Sequence, residues 1–124
     1  LSIVSEVEFI KIYKNQPLFG DVCSFLSEKD IMFHKFLGFG GRSLKPIIVN
    51  NDKNHATQLM WSDAIFIKNI FKIPKFSNSQ LLKLAVFSYL YGSLDLTVFC
   101  LLNYDKKNKT NIVEQLNIKN KTKK

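Results

Sequence analysis

The chain has 124 residues, 46% of them hydrophobic and 13% aromatic. That is one domain or a piece of one, with enough apolar residues to build a core. The formal net charge of +8 does not mark a nucleic-acid binder: seven lysines against Asp105 and Glu114 put most of it after residue 104, and Arg42 is the sole arginine, the residue type suited to bidentate phosphate and base contacts.

The first residues, "IVSEVEFIKIY", alternate as a strand over 3–13. Ile3, Val7, Phe9 and Tyr13 share one face; Val4, Glu6, Glu8, Ile10 and Ile12 share the other. Both faces are largely apolar, as in a strand covered on both sides within an α/β sheet. No signal segment follows Leu1, which fits either a processed chain or a fragment that begins inside a domain; first residues that already look like an interior strand favour the fragment. Without a signal peptide or a disulfide framework the cytoplasm is the expected compartment. "KNQP" breaks the strand, and Pro17 suits the first position of a helix over 17–29. Leu18, Val22, Phe25 and Leu26 recur there at helical spacing, with Asp21 near the favourable end of the dipole.

"IMFHKFL" predicts a second strand over 31–37, with "GFGG" at 38–41 as a loop end. An irregular stretch from Arg42 to Gln58 holds Pro46 and the turn-forming Asn50-Asn51-Asp52. A third strand is expected over 63–69; without a helical crossover before it, it should run antiparallel to the second. From Ser79 to Tyr104 the pattern is helical and very apolar. Lys83, Asp95 and the Gly92-Ser93 break oppose a membrane span and favour a hairpin of two helices, with Ser93 as the second N-cap. Residues 105–124 form a lysine-rich tail whose apolar patch of Ile112, Val113 and Leu116 allows a short helix at most. Cys23 and Cys100 sit in apolar helical patterns as small buried hydrophobes, and no spacing suggests a metal site. The sequons at Asn108 and Asn120 read as chance matches in the tail.

Four phrases in this order resemble the C-terminal part of the FkbM-like family of S-adenosylmethionine-dependent methyltransferases. They are "EVEFIKIYKNQPLFGDVCSFL" (6–26), "LKPIIVNND" (44–52), "QLMWSDAIFIKN" (58–69) and "LLKLAVFSYLYGSLDL" (81–96). The resemblance implies a Rossmann-like α/β fold in which the three strands are the fifth, sixth and seventh of the sheet, the last antiparallel. Residues 1–78 would then be the C-terminal half of that domain and 79–104 a helical hairpin extension. It implies O-methylation of a sugar or other small-molecule acceptor. The family holds its cofactor in the first half of the fold, through a glycine-rich turn and an acidic residue that have no counterpart here. The chain is therefore expected to be the substrate-side half of an enzyme and to bind no S-adenosylmethionine alone.

Ligands of open α/β sheets bind beyond the carboxyl ends of the strands, which makes the Tyr13–Gln16 corner a candidate wall of the acceptor cleft. Tyr13 could stack on or hydrogen-bond an acceptor and Gln16 could orient one; in a plain corner Tyr13 would be core and Gln16 surface. His55 is a candidate base if its loop folds over substrate. Trp61, placed before the third strand, is an apolar lid or core filler; Asp63 caps a turn or receives an acceptor's proton. Glu6 and Glu8 could divide acid and base roles, but their place near the strand's start favours an exposed or lysine-paired edge. His34 reads as a packed or surface histidine. A different class of function is also open: a small stand-alone interaction module without catalysis, presenting the hairpin to a partner or to another copy of itself.

Overall fold

A computed structural model describes residues 1–44 and 57–116. These form a mixed α/β protein with a three-stranded sheet and four α-helices. In chain order they are β1 (Ser2–Glu8), α1 (Phe19–Ser27), β2 (Ile31–Arg42), β3 (Gln58–Lys68), a 3₁₀ segment (Ile70–Lys75), α2 (Asn78–Leu90), α3 (Leu94–Asn108) and α4 (Ile112–Gln115). They fall into two compact units, one of Ser2–Asn69 and one from Ile70 onward together with Leu1.

In the first unit the strand order is β1-β3-β2, and β3 runs antiparallel to both neighbours. β1 and β2 are therefore parallel, and parallel strands need a crossover, which α1 supplies. The helix covers one face, where Val7, Leu26, Ala64 and Phe66 are buried. Phenylalanines pack around them: the Phe19 and Phe33 rings lie 5.1 Å apart, edge to face, and Phe33 and Phe36 lie 4.6 Å apart. Burying one such ring stabilises the fold by roughly 1.5–3 kcal/mol. Ile65 and Ile67 point to the opposite face and are also buried.

β1 ends earlier than its alternation predicts. Its last ladder bond is Phe9 N–H to the Met60 carbonyl, 2.9 Å, and Met60 is where β3 slips by one residue against β2. A bulge bends its strand, and β1 loses its partner there. Pro17 does not open the helix. It precedes Leu18, the N-cap, whose N–H donates to the Asp21 carboxylate at 2.8 Å.

β2 runs on through "GFGG", which is strand and not a loop end. Phe33, Phe36 and Phe39, three residues apart, face Phe66, Ala64 and Ser62, two apart. One extra residue of β2 between each pair, a bulge each time, keeps all three rings on the α1 side. Gly38, at φ +119°, provides a conformation that L side chains rarely adopt. β3 likewise starts at Gln58, earlier than expected, so that Trp61 as well as Asp63 lies within it.

The second unit is built on the helical hairpin. Ser77 and Gln80 form a reciprocal capping box at the start of α2, with bonds of 3.0 and 3.1 Å. Gly92 (φ 75°) ends α2: its N–H reaches the Tyr89 carbonyl and the Ser93 N–H reaches the Ser88 carbonyl, the two bonds of a Schellman motif. Ser93 occupies the N-cap position of α3, as expected, but makes no side-chain capping hydrogen bond; its carbonyl accepts from Thr97 N–H at 3.0 Å. The Thr97 hydroxyl donates across the hairpin to the Ala85 carbonyl at 3.2 Å. Leu81, Leu84, Ala85, Leu96, Cys100 and Leu101 are buried, whereas Lys83 and Asp95 are exposed. No helix among the described residues is long and apolar enough to cross a membrane.

Candidate functional site

The sheet face away from α1 gathers most of the polar candidates. In the β1–β3 register Glu6 stands opposite Asp63, and Glu8 stands opposite Trp61. Directly opposite residues of an antiparallel pair point to the same side, so three carboxylates and one indole share one patch. The half of this face with Ile65 and Ile67 is buried; Glu6, Asp63 and Trp61 are exposed and Glu8 is half-buried. Two like charges across a ladder repel, so the Glu6–Asp63 pair is a local cost that the fold carries.

Trp61 is not core. It is 41% exposed, and its ring lies over Gly40, its neighbour in β2. A Cβ at Gly40 would fall inside the indole, so the absent side chain is what seats the ring. One indole face rests on backbone and part of the ring meets solvent: a platform on which an apolar face can stack. Beside it, carboxylates accept hydrogen bonds from hydroxyl or ammonium groups.

The Tyr13–Gln16 corner lies beyond the end of β1. Tyr13 is 73% exposed. Gln16 turns inward on its own loop: its side-chain oxygen accepts from Ile12 N–H at 3.0 Å and Tyr13 N–H at 3.1 Å. Asn15, at φ 61°, makes the tight reversal that permits this. The fold thus gives Gln16 a loop-closing role and leaves Tyr13 projecting. His34 lies within β2, half-buried. His55 lies outside the described residues, as does most of the 44–52 phrase.

Burial raises the Cys23 thiol above its ordinary value and pushes Cys100 up to about 11, so neither is a ready nucleophile. Among the described residues no three His, Cys, Asp or Glu side chains are placed to hold a metal ion. Gly38–Gly41, the one glycine cluster, lies within β2.

The sequence suggested the Glu6–Glu8 face and the Trp61–Asp63 phrase as separate candidates. It did not suggest that they meet, because register, which brings them together, leaves no mark in a single sequence; Gly40 was missed for the same reason. Comparison with protein-family models, with curated proteins and with solved structures yields no match.

Proposed function

We propose that this chain is the substrate-side half of a cytoplasmic S-adenosylmethionine-dependent O-methyltransferase of the FkbM-like type, its cofactor being held by an upstream half. The observation that carries this is the sheet. β1 and β2 are parallel and joined by a helix, while the last strand runs against both. That is how the C-terminal strands of the Rossmann-like methyltransferase sheet are expected to lie; the 6–26 phrase falls on β1 and α1, the 58–69 phrase on β3 and the 81–96 phrase on the helical hairpin.

In the complete enzyme S-adenosylmethionine supplies an electrophilic methyl group. This chain's share is to hold the acceptor. Trp61 offers a stacking surface for the apolar face of a sugar or similar molecule, and Asp63 and Glu8 beside it accept its hydroxyl protons. Tyr13 adds a projecting ring beyond β1, and His55, outside the described residues, is the candidate base.

The test is calorimetric titration with S-adenosylmethionine. The chain alone should give no heat beyond dilution, and the polypeptide extended upstream through a glycine-rich strand–turn–helix should bind at micromolar concentration. Saturable binding by the chain alone, or an upstream sequence without that motif, would overturn the proposal.

A second function is favoured by one observation. Val86, Tyr89 and Leu90 on α2 are 61–73% exposed, and a cleft of about 680 Å³ between α2 and α3 has mostly apolar walls. Exposed apolar surface of this kind marks interaction sites, which suits a binding module that acts without catalysis.

A further inference from the structure

The two edges of the sheet are built differently. β2, one edge, slips register at three places against β3 and carries Lys35 and Arg42. Bulges and cations are the usual protections against pairing with a further strand. β1, the other edge, pairs with β3 over seven consecutive positions without a slip and contains no lysine, arginine or proline. Its backbone is available in a regular row. Phe9 N–H points inward to Met60, and ladder bonds alternate, so the N–H groups of Val7, Ser5 and Ile3 also face β3. Those of Ser2, Val4, Glu6 and Glu8 face outward. The Glu6 carbonyl already accepts from the Ser5 hydroxyl at 3.2 Å, which leaves it a second lone pair.

The surroundings of this edge have two characters. On one face lie Glu6, Glu8 and, across from Glu6, Asp63. On the other, an apolar cleft of about 460 Å³ opens between β1 and α1, with Ile3, Pro17, Val22, Phe25 and Phe66 in its walls. A strand laid on this edge has its side chains alternate between the two. Every second residue meets carboxylates and every other one meets the cleft.

We propose that the outer edge of β1 is a strand-docking site whose occupant is an amphipathic strand, with lysine or arginine at alternate positions facing Glu6 and Glu8 and apolar residues between them entering the α1 cleft. The cationic row offsets the Glu6–Asp63 repulsion, and the main-chain ladder supplies the remaining affinity, as in strand addition to a sheet. In the function proposed above, the cofactor-binding half brings this strand; the inference rests on that function for the source of the strand and not for its chemistry.

The chain carries its own reporter, because Trp61 is its only tryptophan and stands opposite Glu8. The probe is a synthetic heptapeptide alternating lysine and valine, titrated into the full chain while Trp61 emission is followed. A saturable change is expected, weakening as salt rises, with a glutamate–valine peptide binding about tenfold more weakly or not at all. Val4→Pro removes an outward N–H that β3 does not use. It should abolish the response while far-UV circular dichroism stays unchanged. The Glu6→Lys, Glu8→Lys double variant should reverse the preference between the two peptides, which keeps the test decisive if Val4→Pro disturbs the strand. No emission change with the lysine peptide, or equal binding of both peptides, would overturn the proposal. So would a dimer of the chain alone that Val4→Pro dissolves, since the edge would then belong to a second copy. None of these outcomes bears on S-adenosylmethionine binding by the longer polypeptide.

Discussion

Asp63 shows how much one residue's setting depends on a neighbour far away in the chain. A sequence window around it suggests a turn cap; the register puts its carboxylate across from Glu6. Replacing it by asparagine keeps the shape and removes the repulsion. Asp63→Asn is therefore expected to stabilise the chain by about 0.2–1 kcal/mol, seen as a higher Tm at neutral pH. An unchanged or lower Tm at pH 7 would mean that Asp63 makes a favourable contact outweighing the repulsion. The partners of Glu8 and Gly40 were hidden in the same way, Trp61 facing the one and lying over the other. Buried positions were far more legible: Val7, Leu26 and Phe66 stand out as apolar residues at strand or helix spacing, and all are buried.

Among the elements, those with a single uninterrupted period were readable. α1, the hairpin turn at Gly92 and the antiparallel pairing of β2 with β3 follow from 3.6-residue spacing, a glycine break and a connection without a helix. β2 was only half readable, because its phenylalanines recur every three residues, a spacing that belongs to neither helix nor flat strand. α4 was legible only as a weak apolar patch; its position depends on Asp105. One oxygen of that carboxylate accepts from the Thr110 hydroxyl at 2.6 Å and Ile112 N–H at 2.9 Å, and the other from Val113 N–H at 3.1 Å. Desolvation raises its pKa, but the three hydrogen bonds together outweigh this and leave it below its ordinary 3.8. A depressed carboxylate contributes stability above its unfolded pKa and loses it as pH falls through the folded value. The Ile112 and Val113 amide signals should therefore titrate with a midpoint below the ordinary 3.8. Asp105→Asn should abolish that titration. A midpoint above 4 would contradict the capping role.

At the scale of the whole molecule, the chain leaves large apolar side chains in water. In the second unit alone Val86, Tyr89, Leu90, Leu94, Phe99 and Leu102 are each at least 41% exposed. Small domains have little stability in reserve, and such surface favours association over solvation. Light scattering should show the chain growing beyond a monomer as concentration rises, and Leu90→Lys with Tyr89→Lys should restore a monomer with its helical content intact. Persistence of the larger species in that double variant would place the contact elsewhere. The exposure was foreseeable, since a hairpin this apolar cannot bury every face. Which residues stay outside depends on helix phase, and only the coordinates supply that.

The irregular spacing of β2 also says how its gene can change. Between Phe36 and Phe39 the Leu37-Gly38 pair holds one residue more than the facing strand, so the strand contains a spare codon there. Losing the codon for Gly38 would bring Phe36 and Phe39 into simple alternation. All three rings would stay on the α1 side. Adding a codon to β1, which has no slack, would turn every later side chain to the wrong face. The chain without Gly38 should thus still fold, while a single insertion near Ser5 should not, a contrast that expression and thermal melting of the two variants would expose.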